Sequence, residues 1–217
     1  IELNIIDNNQ NWATNLLKDG NPVDSIVTSL AKGESVDFEL EIQTGDVSDY
    51  IRLAIRAKNG TGFVARKDYL ALTKAGEIMF IDDDGGMNYN ENFERALKNG
   101  GKEFTKVNHE ILNDVKNIFD MPNDFKSIVW NIGSHSPTLE SSDFTWILSY
   151  LNSGGRVLFS GSNFANDIHN VQRSTTGQFF FRNYLDVNFT SDSVTSRTLT
   201  SVPNNPLFDT LTISLDN

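Results

Sequence analysis

The stretch EIMFIDDDGGMNYNENFERAL, residues 77–97, decides how the second part of this chain folds. A short apolar run ends at Asp82, Asp83 and Asp84, two glycines follow, and a helical pattern then begins. A buried strand that leads at once into a helix is typical of a parallel sheet covered by helices. The three carboxylates either hold a cation or only solvate the end of the strand.

The alternation of strand and helix continues beyond residue 97. Apolar strands are predicted at EFTKVN, FKSIVWNIG and RVLFSGS, and helices at EILNDVKNIF, TLESSDFTWILSYLNSGG and GQFFFRNYL. The second of these helices is predicted to begin with Thr138 or Ser141 as its N-cap. We therefore predict an α/β domain over residues 77–217, built on a doubly wound parallel sheet.

Residues 1–75 carry a different pattern, in which apolar and polar side chains alternate. In SVDFELEIQ, residues 35–43, every second side chain is apolar, which is the period of a half-buried strand. YIRLAIRAKNG and FVARKDYLALT continue this pattern on either side of the turn Asn59-Gly60. The spacing predicts an antiparallel β-sandwich of immunoglobulin type, short enough that a further strand is expected upstream.

Composition narrows the range of functions. The formal net charge of −11 disfavours nucleic acid and anionic lipid as partners. The chain has no cysteine, which excludes a thiol nucleophile and any site built on cysteine ligands. No apolar run approaches the roughly 20 residues of a membrane helix, so membrane insertion is not expected. Since the chain begins at Ile1 and stops abruptly, we interpret it as a piece of a longer, exported polypeptide.

Polar and small side chains follow the predicted parallel strands, at the edge where open α/β sheets bind ligands. Besides the three aspartates, the candidates at this ligand edge are Asn131, Ser134, His135, Ser160 and Ser162. Such residues are also ordinary in the loops between strands and helices. Functional use of this edge and a purely structural role therefore both remain open.

A hard cation such as calcium is the metal that the aspartates would suit, because it prefers oxygen ligands. Neighbouring side chains on a strand point in opposite directions, so at most two of the three could share one ion. Asp83 and Asp84 are the candidate metal ligands, and no other cofactor is expected. A phosphoacceptor receiver domain is rejected, because the third predicted strand ends in Asn131 where such a domain needs an aspartate.

Catalysis by serine is the alternative hypothesis. Ser160 and Ser162 could lie on a sharp turn after a strand, with His135 or His169 as the base. FSGSN does not match the G-x-S-x-G pattern, however, and nothing in the spacing assembles a triad. A serine next to glycine more often only forms a tight turn.

The pieces IMFIDDDGG, NFERALKNGG, SIVWNIGSHSPTLESSDFTWILSYLNSGGRVLFSGSNFANDI and FFFRNYLDVNFTSDS occur in this order. Together they resemble an accessory module of secreted bacterial proteins, found with subtilisin-like peptidases, immune-inhibitor-A-like metallopeptidases and cell-surface proteins. Its fold is similar to the class I glutamine amidotransferase-like, flavodoxin-like group. The amidotransferase nucleophile is a cysteine after a sheet strand, whereas this chain has Ser160-Gly161-Ser162 there. Residues 1–75 resemble the immunoglobulin-like domains that precede such modules.

The resemblance implies a secreted or cell-surface bacterial protein of which this chain is a non-catalytic accessory or binding region. It further implies attachment to a peptidase, and a protein or polysaccharide as the ligand. The alternative is a serine-dependent hydrolase that acts at the carboxyl edge of the α/β sheet.

Overall fold

The computed structural model describes residues 2–8, 13–43, 50–134, 136–191, 198–200 and 212–214. His135, one of the candidates at the ligand edge, lies outside these residues.

The first part of the chain is antiparallel β-structure, as its alternating pattern predicts. Within the described residues it has seven strands, which are β1 (Glu2–Asn8), β2 (Ala13–Lys18), β3 (Asn21–Val23), β4 (Ile26–Val27), β5 (Glu39–Gln43), β6 (Tyr50–Asn59) and β7 (Gly62–Leu72). They form one sheet in the order β4-β1-β6-β7 and a second in the order β3-β2-β5. The long hairpin of β6 and β7 turns at Gly60-Thr61, where an Asn-Gly turn was predicted.

The core of this first part is small. In the described residues its buried cluster consists of Leu16, Ile26 and Ile55, with Phe38 and Leu40 packed against them. Ile51 and Ala54 of β6 are buried as well. The predicted strand over residues 35–43 is only partly correct, because β5 begins at Glu39.

The second part of the chain contains a four-stranded parallel sheet, which confirms the prediction of an α/β architecture. Its strands are β8 (Ile78–Asp82), β9 (Phe104–Asn108), β10 (Ser127–Gly133) and β11 (Arg156–Gly161), in the order β11-β10-β8-β9. After β8 the chain forms β9, the neighbour of β8 on one side. After β10 it forms β11, which lies at the opposite edge of the sheet. The order of connections therefore reverses between these two central strands. A separate two-stranded sheet pairs β12 (Thr198–Thr200) with β13 (Thr212–Ser214).

Helices lie at each of the predicted places, and the structure adds a helical segment after β11 that the sequence did not predict. They are α1 (Asn90–Asn99), α2 (Leu112–Ile118, preceded by the 3-10 turn His109–Ile111), α3 (Ser141–Asn152), α4 (Phe164–Asn166, continuing as the π-helix Asp167–Val171) and α5 (Thr175–Asn183). The N-cap prediction for α3 was wrong. Glu140 is the N-cap, because its backbone N–H is bound by the Asp143 carboxylate, three residues later.

Helices pack on both faces of the parallel sheet. On one face Phe80 of β8 stacks on Phe93 of α1. On the other face the fully buried Trp130 of β10 contacts Trp146 of α3. Trp130 is therefore a core residue, as its apolar strand predicts. This face carries the main core, a cluster of 18 buried side chains among the described residues, whereas the buried cluster of the first part has three.

The junction between the two parts is packed and bonded. Tyr50, Leu70 and Leu72 of the first part pack against the main core. Lys74 forms an ion pair with Asp124 at 2.9 Å. The predicted division near Gly76 stays a prediction, but these contacts tie the end of β7 to the α/β part.

Candidate functional site

The carboxyl ends of β8 and β9 lie side by side, because the two strands are parallel neighbours. Asp82, the last residue of β8, pairs in register with Asn108, the last residue of β9. Asp83 and Asp84 follow on one side, and His109 and Glu110 follow on the other. The sequence thus places acidic and imidazole groups at one edge of the sheet.

Asp84 closes the loop that leads from β8 to α1. One of its carboxylate oxygens accepts hydrogen bonds from the backbone N–H of Gly86 (2.9 Å) and Met87 (3.1 Å). The other accepts from the N–H of Tyr89 at 2.8 Å. The side chain is 1% exposed, so these three amides replace water as donors to a buried carboxylate. Asp84 therefore shapes the loop.

Asp83 points into the opposite side of the sheet, toward the main core. Its Oδ2 accepts a 2.9 Å hydrogen bond from the indole N–H of Trp130, and its Oδ1 lies 3.2 Å from Nδ1 of His109. Only 7% of the residue is exposed. Both carboxylate oxygens are thus engaged by donors of the protein.

His109 joins this strand end to the start of α3. While Nδ1 faces Asp83, Nε2 lies 3.3 Å from Oδ2 of Asp143. The pKa of His109 is raised above its ordinary value, chiefly because Asp143 accepts a hydrogen bond from the ring and also because both carboxylates are negatively charged, although burial opposes this shift. The geometry favours a doubly protonated imidazolium.

Asp143 is surrounded by donors. Its Oδ2 also accepts the N–H of Glu140 at 2.9 Å, and its Oδ1 lies 3.5 Å from Nζ of Lys116. Burial raises the pKa of Asp143, but the hydrogen bonds from His109 and Glu140 and the nearby cations outweigh it, so the pKa is lowered. Burial lowers the pKa of Lys116, whose ammonium group also lies over the ring of Trp146 at 4.6 Å. We call Asp83, His109, Asp143 and Lys116 the buried charge cluster.

Asn131, the predicted edge residue of β10, is 2% exposed and serves the fold. Its side-chain amide donates to Oδ1 of Asn90 at 2.8 Å, and its carbonyl accepts the N–H of Asp83 at 2.9 Å. Two positions further, Gly133 has φ +67°, and a Cβ there would lie 2.8 Å from Cα of Asp84. The loops after β8 and β10 are therefore in close contact.

The predicted serines lie apart from the buried charge cluster, at and beyond the ends of β10 and β11. Ser134 and Ser162 are exposed, and Ser160 is half-buried. Ser162 donates its backbone N–H to the carbonyl of Gly133 at 2.9 Å. In the described part of the chain no side chain forms a hydrogen bond with the Ser160 or Ser162 hydroxyl. Of their two proposed bases, His135 lies outside the described residues, and His169 has its ring against Phe181 and Phe189.

Asp167, a buried carboxylate outside the buried charge cluster, stabilises the loop after β10. It accepts hydrogen bonds from the N–H and hydroxyl of Thr138, both at 2.8 Å, and from Ser136 and Gln172. The residue is fully buried. Burial raises its pKa, but these donors together lower it. Because all its partners belong to neighbouring loops, Asp167 has a structural role here.

An open cleft of about 450 Å³ lies at the ends of β8 and β9. It is lined by Asp82, Asp83, Asp84, Gly85, Gly86, Asn88, Asn90, Lys106, Asn108, His109 and Glu110. Lys106 contributes a positive charge that is already shared, because its Nζ lies 3.0 Å from Glu94 and 3.6 Å from Asp82. The cleft is polar, and its lining is mainly carboxylates and amides.

The described residues contain no group of three His, Cys, Asp or Glu side chains placed to hold a metal ion. Asp83 and Asp84 diverge, one toward Trp130 and the other toward the loop amides. The structure therefore gives no ground for identifying either residue as a metal ligand.

Sequence reasoning missed three members of the cluster: His109, Lys116 and Asp143. His109 had a detectable signal, because it follows a predicted strand just as the aspartates follow β8. Asp143 and Lys116 lie inside helical patterns and gave no such signal.

None of the helices in the described ranges is long and apolar enough to cross a membrane. Comparisons with protein-family models, curated proteins and solved structures found no match.

Proposed function

We propose that this chain is a non-catalytic accessory region of a secreted or cell-surface bacterial protein, attached to a peptidase or a similar enzyme. In this proposal the α/β part has a flavodoxin-like fold, and an immunoglobulin-like domain precedes it. The order of the parallel strands supports the flavodoxin-like fold. With the strands numbered 1 to 4 from β8 to β11, their order across the sheet is 2-1-3-4, which agrees with the first four strands of the flavodoxin-like order 2-1-3-4-5.

One observation carries the non-catalytic assignment: the buried acidic and imidazole groups at the strand ends are bound to one another. A general base needs a free lone pair within hydrogen-bond reach of the proton that it removes. His109 has a carboxylate at each ring nitrogen, so both nitrogens already have partners within the protein. Asp84 has three backbone amides as donors. These groups stabilise the cleft wall, which favours binding over turnover.

The cleft supports a binding role. It lies beside the point between β8 and β10 where the order of connections reverses, and α/β sheets bind ligands near such points. Its exposed lining includes Asn88 and Glu110 and the backbone of the glycine pair Gly85-Gly86. Amide and carboxylate groups of this kind bind hydroxyl groups and cationic groups, which occur on polysaccharides and on basic protein segments.

Binding is tested by recording amide NMR spectra while soluble polysaccharide fragments, and separately basic peptides, are added to the chain. We expect one of the two probes to shift the signals of Gly85, Gly86 and Asn88. Glu110→Gln should weaken this binding, whereas Glu103→Gln, an exposed position just before the opposite end of β9, should not. Unchanged spectra with both probes would contradict a binding role for the cleft.

The serine hydrolase alternative is tested separately with a fluorophosphonate probe and with ester and peptide substrates. We expect neither labelling nor turnover, because Ser160 and Ser162 have no base among the described side chains. Labelling that disappears in Ser162→Ala, with the fold intact, would favour the hydrolase.

A further inference from the structure

His109 lies where three separate elements meet. It begins the 3-10 turn after β9, and its two ring nitrogens face Asp83 at the end of β8 and Asp143 in the first turn of α3. The distances of 3.2 and 3.3 Å place both carboxylates within reach of a ring N–H. An imidazolium has two such donors, whereas a neutral imidazole has only one.

The remaining charges around the ring do not replace either contact. Lys116 of α2 faces Asp143 from the far side and lies 3.5 Å from its other oxygen. Lys106 of β9, which also lines the cleft, is paired with Glu94 and Asp82. Trp130 of β10 contacts the imidazole ring at 5.7 Å between centroids but carries no charge.

The cleft also carries three acidic groups, Asp82, Asp84 and Glu110. Of these, Asp84 is directed at the loop amides, and Asp82 lies 3.6 Å from Lys106. The imidazolium is thus in contact with the carboxylates of Asp83 and Asp143, with one ammonium group beyond Asp143.

We propose that His109 is a pH-dependent clamp: with both nitrogens protonated it ties the carboxyl end of β8 to the start of α3, and loss of one proton releases one of these two ends. The release follows from the count of donors, because one N–H cannot satisfy two carboxylates on opposite sides of a ring. The released carboxylate is buried and loses a charged donor, so the wall of the cleft loosens. This inference does not depend on what the cleft binds.

The raised pKa of His109 sets the direction of the effect. A group whose pKa is higher in the folded than in the unfolded chain stabilises the fold fully below its unfolded value of about 6.5. That contribution is lost as the pH rises through the folded pKa. Asp143, whose pKa is lowered, gives a contribution that is lost as the pH falls through its folded pKa. The clamp is therefore most stable between these two values.

The direct test is an NMR titration of the histidine ring nitrogens in the intact chain. We expect His109 to titrate above 6.5 with both nitrogens protonated at lower pH, and Asp143→Asn to lower this pKa. His169, which has no carboxylate contact among the described residues and a pKa lowered by burial, serves as the internal reference. Titration of His109 at or below 6.5, or a neutral ring at pH 6, would overturn the clamp.

Thermal unfolding provides a second readout. The thermal midpoint of the unmodified chain should fall as the pH rises through the pKa of His109. The fall should be roughly 3–5 °C for each pH unit by which this pKa in the folded chain exceeds its value in the unfolded chain. In His109→Gln this fall should disappear, whereas it should persist in His169→Gln. A fall of the same size in His109→Gln would assign the pH dependence to other groups and contradict the proposal.

Discussion

Two strand ends of the same sheet, those of β8 and β11, look alike in sequence and differ in structure. Each strand leads into a short polar segment beside glycine, Asp83-Asp84-Gly85-Gly86 after β8 and Gly161-Ser162-Asn163 at the end of β11. At β8, Asp83 and Asp84 are buried and accept hydrogen bonds from an indole and from three backbone amides. At β11, Ser162 is exposed and is held by one backbone hydrogen bond.

The difference shows what turns a polar strand end into an organised site. The loop after β8 lies between the ends of β9 and β10, so its side chains meet groups from both neighbours. Among the described strands, β11 pairs only with β10 and stands at the edge of the sheet. The end of the central strand β8 therefore collects partners from both neighbours, whereas the end of β11 stays open to solvent.

The largest effect is expected for Asp143→Asn. Removing this charge leaves His109 and Lys116 beside a neutral amide in a buried place, and breaking a buried ion pair costs about 3–5 kcal/mol. We expect a loss of unfolding free energy of that size in chemical denaturation. The matched control is Asp114→Asn on the exposed face of α2, which should stay within about 0.5 kcal/mol of the unmodified chain. Equal effects of the two substitutions would show that the cluster contributes nothing special.

Gly133→Ala should cause the second-largest loss of unfolding free energy, because it affects the contact between the loops after β8 and β10. The positive φ alone costs about 1–3 kcal/mol, and the new Cβ would also push against the backbone of Asp84. Gly86→Ala is the control, since Gly86 has φ +81° but open space around its Cβ position. We expect Gly133→Ala to destabilise the chain more than Gly86→Ala in the same denaturation assay. The reverse order would contradict the close packing of the two loops.

Asp84→Asn should have a smaller effect. The amide keeps one acceptor oxygen but turns an NH2 group toward a backbone N–H, so one buried donor loses its partner at a cost of about 1–3 kcal/mol. Faster amide hydrogen exchange at Gly86, Met87 or Tyr89 would locate the loss. Unchanged exchange at all three amides would mean that the carboxylate does not hold this loop.

Ser162→Ala should leave stability unchanged within about 0.5 kcal/mol, because the side chain is exposed and has no hydrogen-bond partner among the described residues. Only its backbone N–H contributes, and alanine retains that group. A substantial loss of stability would reveal a partner for the hydroxyl and remove the contrast between the two strand ends.

The smallest effect is expected from calcium. Because the Asp83 and Asp84 oxygens already have donors in the protein, adding calcium or a chelator should not move the thermal midpoint. A rise of the midpoint with calcium that is absent in Asp83→Asn would instead support a bound ion, since a ligand of the folded state raises stability with its concentration.

Much of the α/β architecture could be predicted from the sequence. The apolar runs at β8 and β10 and the helical periodicity of α1 and α3 are local signals, and the structure confirms them. The start of β5 was predicted less well, because alternation alone cannot show where a strand loses its partner. Residues 35–38 continue the apolar pattern, yet the pairing of β5 with β2 begins only at Glu39.

The site was less predictable, because its contacts join residues far apart in sequence. His109 is 26 positions from Asp83 and 34 from Asp143, and no local period relates them. The position of His109 directly after β9 was a usable signal, since parallel strands bring their carboxyl ends together. From the sequence, Asp143 could be identified only as a residue of helix α3. Its contacts with His109 and Lys116 depend on how α3 packs against the sheet.

The central claim is that Asp83 and His109 act together at the end of β8, and a double-mutant cycle tests it most directly. The free energy of unfolding is measured for the unmodified chain, Asp83→Asn, His109→Gln and the double variant at pH 6. Residues in one buried ionic network are expected to be coupled by about 0.5–3 kcal/mol. We expect a coupling of at least about 1 kcal/mol, with the double variant less destabilised than the sum of the two single variants. Additive losses, with a coupling below about 0.3 kcal/mol, would contradict the claim.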